Sequence, residues 1–230
     1  MPDAALSRTA PDSHHIAVVA AAFRCDTATA EDVAARLVTT KRRAREVVIA
    51  IGETGDDAWL MLIGEANAVL YSAAGHLVLL HRLLPGDLFG APIGLPAPAD
   101  GAHVVAVGQV EAGRFRALDF VLLMERHRCV AQAVVRTLCG RLDETTRRMV
   151  AAATLSAAGR VHAELLRLAR LGDGHRIRPA PVLAELALAV QSTRETVSRT
   201  INALERSGII TRSSDALEVV APHRLEELVY

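Results

Sequence analysis

Three side chains near the C-terminal end have the chemistry to read nucleic-acid bases: Arg194, Glu195 and Arg199, with Ser198 and Asn202 beside them at helical spacing. An arginine fork donates two hydrogen bonds to guanine O6 and N7, and a glutamate accepts from the cytosine amine. Each such pair discriminates one base by about 1–3 kcal/mol. A carboxylate is otherwise a poor neighbour for phosphate, so Glu195 points to base reading over general attraction to the backbone. The ordinary alternative is an amphipathic helix whose Glu195 and Arg199 pair at i, i+4 on the solvent side.

The elements that must position these groups are legible around them. Val182, Leu183, Leu186 and Val190 form the apolar stripe of a short helix. Ser192 and Thr193 are N-cap types for a second helix, in which Val197, Ile201 and Leu204 face a core. Two helices around a tight polar break make a helix-turn-helix, whose second helix offers its N-terminal residues to the major groove. Gln191 occupies the turn, where glycine would adopt a left-handed backbone at little steric cost, so strain is expected there. Gly208 stops the second helix. Residues 209–220 then read as two strands around Ser213-Ser214-Asp215, a wing that sets Arg212 and Ser213 within reach of phosphate. The DNA-contacting set is therefore Thr193, Arg194, Glu195, Ser198, Arg199, Arg212 and Ser213.

Bulk composition bounds the alternatives. Hydrophobic residues make up 51% of 230 residues, enough for a substantial core in one large domain or two small ones. Aromatics are 3%, which argues against a stacking platform for single strands. Lys+Arg and Asp+Glu are 26 each, so any basic face must be local. Cys25, Cys129 and Cys139 are widely spaced and form no CxxC, so neither zinc nor an iron–sulfur cluster is expected. No membrane span or signal peptide is recognisable, and a cytoplasmic, soluble protein is the expectation.

Residues 1–15 read as a disordered N-terminus, followed by a short helical region to about Val38. From residue 47 to about residue 118 short apolar runs alternate with glycines: 47–51, 58–63, 68–71, 77–80 and 104–107. This is the pattern of an antiparallel barrel or sandwich, giving a domain over 16–118. Proline is then absent for a long stretch, and Asp119 to about Ala153 reads as one long helix, the 119–155 segment. Phe120, Met124, Ala131, Val134, Leu138 and Leu142 recur along it at three-, four- and seven-residue steps, a seam that suits a two-stranded homodimer. Residues 156–230 form the C-terminal module.

A β-rich N-terminal half, a long helix and a C-terminal winged helix carrying Thr193-Arg-Glu-Thr-Val-Ser-Arg199 together resemble the CRP/FNR superfamily of bacterial transcription regulators. The resemblance extends over nearly all of the chain after about residue 30. Leu84-Pro-Gly-Asp-Leu-Phe-Gly90 is similar to the family's barrel turn, and Gly159-Arg160 with Leu165-Leu166 to its helix after the hinge. The resemblance implies an α+β fold: a jelly-roll-like antiparallel barrel of cyclic-nucleotide-binding type, a long dimerisation helix and a winged helix-turn-helix. It also implies a homodimer on operator DNA of two-fold symmetry, with RNA polymerase as a further partner. Arg194, Glu195 and Arg199 fall on the family's base-contacting positions.

The effector side departs from the family. Members that bind cyclic AMP carry Gly-Glu after the barrel turn and an Arg-Ser or Arg-Thr for the phosphate. Here Gly90 is followed by Ala91 and Pro92, and residues 96–103 hold Asp100 and His103 but no arginine. A buried phosphodiester needs charge-assisted partners, so ordinary cyclic AMP is not expected to bind. Thr145-Thr146 does match the family's adenine-contacting pair. The effector-side set is thus Gly90, Ala91, His103, Thr145 and Thr146, with effector and cofactor left open among cyclic dinucleotides, haem with a gas, small metabolites or none. His14, His15, His81 and His127 are too scattered to assign as haem ligands. A signalling or scaffold protein whose winged helix binds another protein is the alternative, favoured by Gln191 and the neutral charge. With no nucleophile–base pair, metal spacing or phosphate loop, an enzyme is not expected.

Overall fold

The computed structural model describes residues 12–50, 57–71, 77–90 and 103–229. The chain divides into two compact units, Met1–Arg141 and Leu142–Tyr230.

The first unit opens with two short helices, each started by an aspartate. In α1 (Ser13–Phe23) the Asp12 carboxylate accepts from the His15 backbone N–H at 2.8 Å. In α2 (Thr27–Ala34) Asp26 accepts from the Thr29 N–H at 2.8 Å. Such caps satisfy N–H groups that a helix start leaves unpaired. The expected disorder to residue 15 is corrected at its end. Residues 12–15 belong to a capped helix start, and His15 is buried with its Nε2 3.2 Å from Glu111 Oε1. Residues 1–11 lie outside the described residues.

Eight strands follow: β1 (Val38–Arg42), β2 (Val47–Ile49), β3 (Ala58–Ile63), β4 (Ala66–Tyr71), β5 (Leu77–Leu83), β6 (Leu88–Gly90), β7 (His103–Ala106) and β8 (Val110–Phe115). They form two four-stranded antiparallel sheets, ordered β1-β8-β3-β6 and β2-β7-β4-β5. The two-sheet, jelly-roll-like arrangement matches the expected fold class, as a pair of sheets and not a closed barrel. Strand β3 explains its own apolar run. Leu60 and Leu62 join the cluster under the helices with Phe23, Val33 and Phe115, while Met61 points into the other cluster with Val48, Leu83 and Phe89. A strand buried on both faces loses the usual alternation.

Two helices close this part of the chain, α3 (Ala117–Arg126) and α4 (Arg128–Thr154). The single long helix expected from residue 119 is therefore corrected: it breaks at His127, which is extended at φ −121°, ψ 102°. No proline or glycine causes the break. His127 Nε2 instead meets Asp32 Oδ2 of α2 at 2.7 Å, with Arg126 Nη1 3.5 Å from the same oxygen. The seam is corrected as well. Phe120 and Val134 are buried in the first unit's own core and Met124 packs against it, while Leu138 and Leu142 are exposed together with Val135 and Met149.

The second unit contains the end of α4, then α5 (Ala157–Leu171), β9 (Arg176–Ile177), α6 (Leu183–Ala189), α7 (Arg194–Arg206), β10 (Ile210–Arg212), β11 (Leu217–Val219) and α8 (Pro222–Glu227). Its small sheet runs β10-β11-β9, with Ile210 opposite Val219 and Arg212 opposite Leu217. Val161, Leu165, Leu186, Val197, Ile201 and Leu217 are among the residues of its core. Val182 is not on the buried stripe. It is the N-cap of α6, extended and 57% exposed, and Ala187 takes the buried place.

Candidate nucleic-acid interface

The recognition face is built from the cap inward. Thr193 is the N-cap of α7, and its Oγ1 accepts from the Thr196 N–H at 3.1 Å. Val197 and Ile201 are fully buried and Leu204 nearly so, which fixes the rotation of α7 about its axis. Thr200 is buried too, its hydroxyl donating to the Thr196 carbonyl at 2.9 Å. With that rotation set, Arg194, Glu195, Ser198, Arg199, Asn202 and Arg206 line one groove of about 670 Å³, with Leu183 of α6 at its edge. Five residues of the predicted set thus come to one helix start, and four of them line the groove. The Glu195–Arg199 pairing expected of an idle solvent face is not among the ion pairs of the described residues. All three charged groups are exposed, and among the described residues none has a hydrogen-bond or ion-pair partner.

The turn is as strained as its sequence implies. Gln191 is left-handed at φ 51°, with its N–H on the Leu188 carbonyl at 3.2 Å and the Ser192 N–H on the Ala187 carbonyl at 2.9 Å. For a residue with a Cβ this backbone costs about 1–2 kcal/mol.

The wing residues are more occupied than the sequence suggests. Arg212 Nε donates to Glu205 Oε2 at 3.0 Å, and Arg212 Nη2 donates to Glu205 and to Asn202 Oδ1, the latter at 2.9 Å. The hydrogen bond from Arg212, then its charge, holds the Glu205 carboxyl below the usual carboxylate range. Ser213 donates to Asp215 Oδ1 at 2.9 Å, and Asp215 is also paired with Arg178. The Ser213 hydrogen bond and the Arg178 charge lower the Asp215 carboxyl in turn. Sequence reasoning missed Arg206, Leu183 and the Asn202–Arg212–Glu205 link; helical spacing alone would have added Arg206.

On the effector side, the Leu84–Gly90 turn is tied to β3: the Gly86 N–H donates to the Met61 carbonyl at 2.8 Å, and the Met61 N–H to the Asp87 carbonyl at 3.0 Å. Asp87 Oδ2 accepts from the Leu84 N–H at 2.8 Å, and Gly86 is left-handed at φ +95°. Gly90 is demanded by its backbone: φ is +80°, and a Cβ there would lie 2.7 Å from the Asp57 carbonyl. Ala91 lies outside the described residues. His103 begins β7 and is half-buried. Thr145 and Thr146 are exposed on α4 and belong to the second unit. Among the described residues no group of three or more His, Cys, Asp or Glu is arranged to hold a metal ion. None of their helices is long and apolar enough to cross a membrane.

Comparison with known proteins agrees with this geometry. Residues 159–228 match the Crp-like helix-turn-helix domain, and residues 39–127 the cyclic nucleotide-binding domain. A curated relative, the cyclic AMP receptor protein of Thermus thermophilus, is 30% identical over 181 residues, covering 78% of this chain and 82% of that protein. Among solved structures, a CooA variant from Carboxydothermus hydrogenoformans superposes with a TM-score of 0.76 at 17% identity, covering 85% of this chain and 88% of that one. The c-di-GMP responsive global regulator CLP of Xanthomonas campestris gives 0.72 at 18% identity, covering 84% and 99%. These two likenesses establish a shared fold. A two-sheet domain followed by a helix-turn-helix with an exposed Arg-Glu…Arg face defines a DNA-binding transcription regulator. The chain belongs to the CRP/FNR family of transcription regulators.

Proposed function

We propose that the protein is a cytoplasmic, homodimeric, sequence-specific regulator whose recognition helix α7 reads operator half-sites. The observation that carries this reading is the start of α7. A capped helix end presents Arg194, Glu195 and Arg199 on one groove, while Val197 and Ile201 lock the opposite face into the core. Thr193 and Ser198 complete the helix contacts, and Arg212 and Ser213 supply the wing. The organisation we assign is a sensing domain over 16–118, a dimerisation segment over 119–155 and a DNA-binding domain over 156–230. Two copies related by a two-fold axis would read a palindrome with half-sites one helical turn, about 34 Å, apart.

The sensing domain gates that spacing in response to an effector other than ordinary cyclic AMP. Gly90 is explained by its own backbone, and the acid and arginine that hold cyclic AMP in the family are missing from this sequence. Gly90, Ala91, His103, Thr145 and Thr146 are the effector-side positions of this reading, and RNA polymerase is the further partner of an activator.

Selection of bound duplexes from a random pool tests the proposal, run at one fixed salt without additive, with cyclic AMP and with a cyclic dinucleotide. Recovery of a palindrome without additive or with the dinucleotide is expected. Recovery only with cyclic AMP overturns the effector assignment. Retention of no duplex in any arm, by protein of verified fold, leaves either a gating effector other than these two nucleotides or a winged helix that binds protein in place of DNA.

A further inference from the structure

Arg160 stands outside the recognition face, on α5, yet it holds the turn from which α7 emerges. Its guanidinium donates to three backbone carbonyls: Nε to Val190 at 2.8 Å, Nη2 to Gln191 at 3.1 Å and Nη1 to Leu155 at 3.1 Å. Val190 and Gln191 are the C-terminal end of α6 and the turn itself. Helix ends leave carbonyls without intrahelical partners, and a cation placed there is favourable. Leu155 precedes Ser156, the N-cap of α5, so its carbonyl marks the elbow between α4 and α5. One planar fork therefore ties the end of α6, the left-handed Gln191 and that elbow together. A lysine at the same position is a point charge on a flexible stem and does not reproduce the fork.

We propose that Arg160 is a positioning residue for base reading: it fixes the left-handed turn and so the aim of Arg194 and Glu195, without touching DNA. The turn otherwise rests on the Gln191 and Ser192 N–H bonds to the Leu188 and Ala187 carbonyls, against the steric cost of a non-glycine at φ 51°. Bidentate contacts with base edges demand placement to about 0.5 Å. Attraction to phosphates is sequence-independent and tolerates small errors of aim. Loss of the fork should therefore cost specific binding far more than general binding. The inference rests on the DNA-reading function proposed above.

The test compares Arg160→Lys, Arg160→Met and Arg160→Lys/Gln191→Gly with the native protein, all as full chains. Each binds the selected operator and a random duplex over a range of salt, and amide hydrogen exchange is followed at residues 190–193. Arg160→Lys and Arg160→Met should lose about tenfold or more in operator affinity, the scale of one or two charge-assisted hydrogen bonds. Random-duplex affinity and its salt slope should hold within about twofold, and exchange at the turn should quicken. Gln191→Gly should restore part of the operator affinity, because glycine keeps the left-handed turn without steric cost. Equal losses on both duplexes, or unchanged exchange at the turn, overturn the proposal. Native protein that retains no duplex is a failure of the DNA reading or its gating and not of Arg160, and that control is scored before any variant.

Discussion

Arg212 of the wing strand is bound to Glu205 of the recognition helix, Nε to Oε2 at 3.0 Å, and the same guanidinium holds Asn202 Oδ1 at 2.9 Å. The wing's cation is thus neutralised by an acid on α7. Asn202 has its carbonyl oxygen occupied, which leaves its amide hydrogens to face the groove it lines. Wing and helix are fastened to each other as well as to the core.

Glu205→Gln follows as the informative substitution. Removing the carboxylate's charge releases Arg212 to a phosphate, which adds one neutralised phosphate per copy. The slope of log affinity against log salt should steepen by about 0.9 for each phosphate gained. Binding to random duplexes should tighten a few-fold at low salt, as followed by fluorescence anisotropy. An unchanged slope would show that the charge of Glu205 does not govern Arg212's contact with the backbone.

The parts legible in the sequence are those whose signal is local. The cap at Thr193 and the stripe Val197, Ile201, Leu204 come from types and spacing within one helix, and both are found. Strand β3 was legible because it is apolar on both faces. Strands β1 and β8 were not, because they bury Thr39, Thr40 and Glu111 and so break the apolar pattern. Gly113 lies inside β8, where a Cβ would come within 2.5 Å of Leu37 Cδ2. The break at His127 depends on Asp32, 95 positions away. The grips of Arg160 and Arg212 are likewise set by the fold and not by neighbouring residues.

The Asp32–His127 bond makes a prediction about acid stability. Asp32's carboxyl lies below its ordinary 3.8, first because His127 hydrogen-bonds it, against a smaller desolvation penalty, and then through the charges of Arg126 and His127. A carboxyl depressed by folding stabilises the native state above its unfolded value and loses that contribution as pH falls through the lower folded value. Asp32→Asn should therefore cost about 1 kcal/mol near neutral pH, since the pair is partly solvated. The gap from the native protein should close as pH falls below about 4. Urea melts between pH 3 and 7 measure it, and a pH-independent gap would mean that the charge of Asp32 is not what matters.

The three cysteines should react in a fixed order. Burial first, and then the neighbouring Cys129 thiol, push the Cys25 thiol up to about 11, whereas Cys139 is exposed on α4. Thiolate is the reactive form. At pH 8 a thiol of that pKa is ionised in only about one molecule in a thousand. Iodoacetamide at pH 8 should label Cys139 first and Cys25 far more slowly until the protein is denatured, as read by peptide mass spectrometry. Early labelling of Cys25 would contradict both its burial and its raised pKa.

The dimer proposal turns on which face of α4 is left uncovered. Val135, Leu138, Leu142 and Met149 are exposed by 59%, 43%, 69% and 65%, at steps of three, four and seven. Thr145 fills the missing position, three after Leu142 and four before Met149. That is a heptad seam with one polar residue, at a d-type position. Burying what remains exposed of each apolar side chain contributes about 0.7–2 kcal/mol in each copy. Leu142→Glu should give monomers at micromolar concentration in sedimentation and abolish palindrome binding, while circular dichroism stays native. Val134→Glu, one position off the seam and buried in the first unit's core, should instead unfold that unit. Thr145→Val separates the two roles open to this residue. A seam threonine replaced by valine tightens the dimer and leaves any effector response intact, whereas an effector ligand replaced by valine loses the response and leaves the dimer as it was.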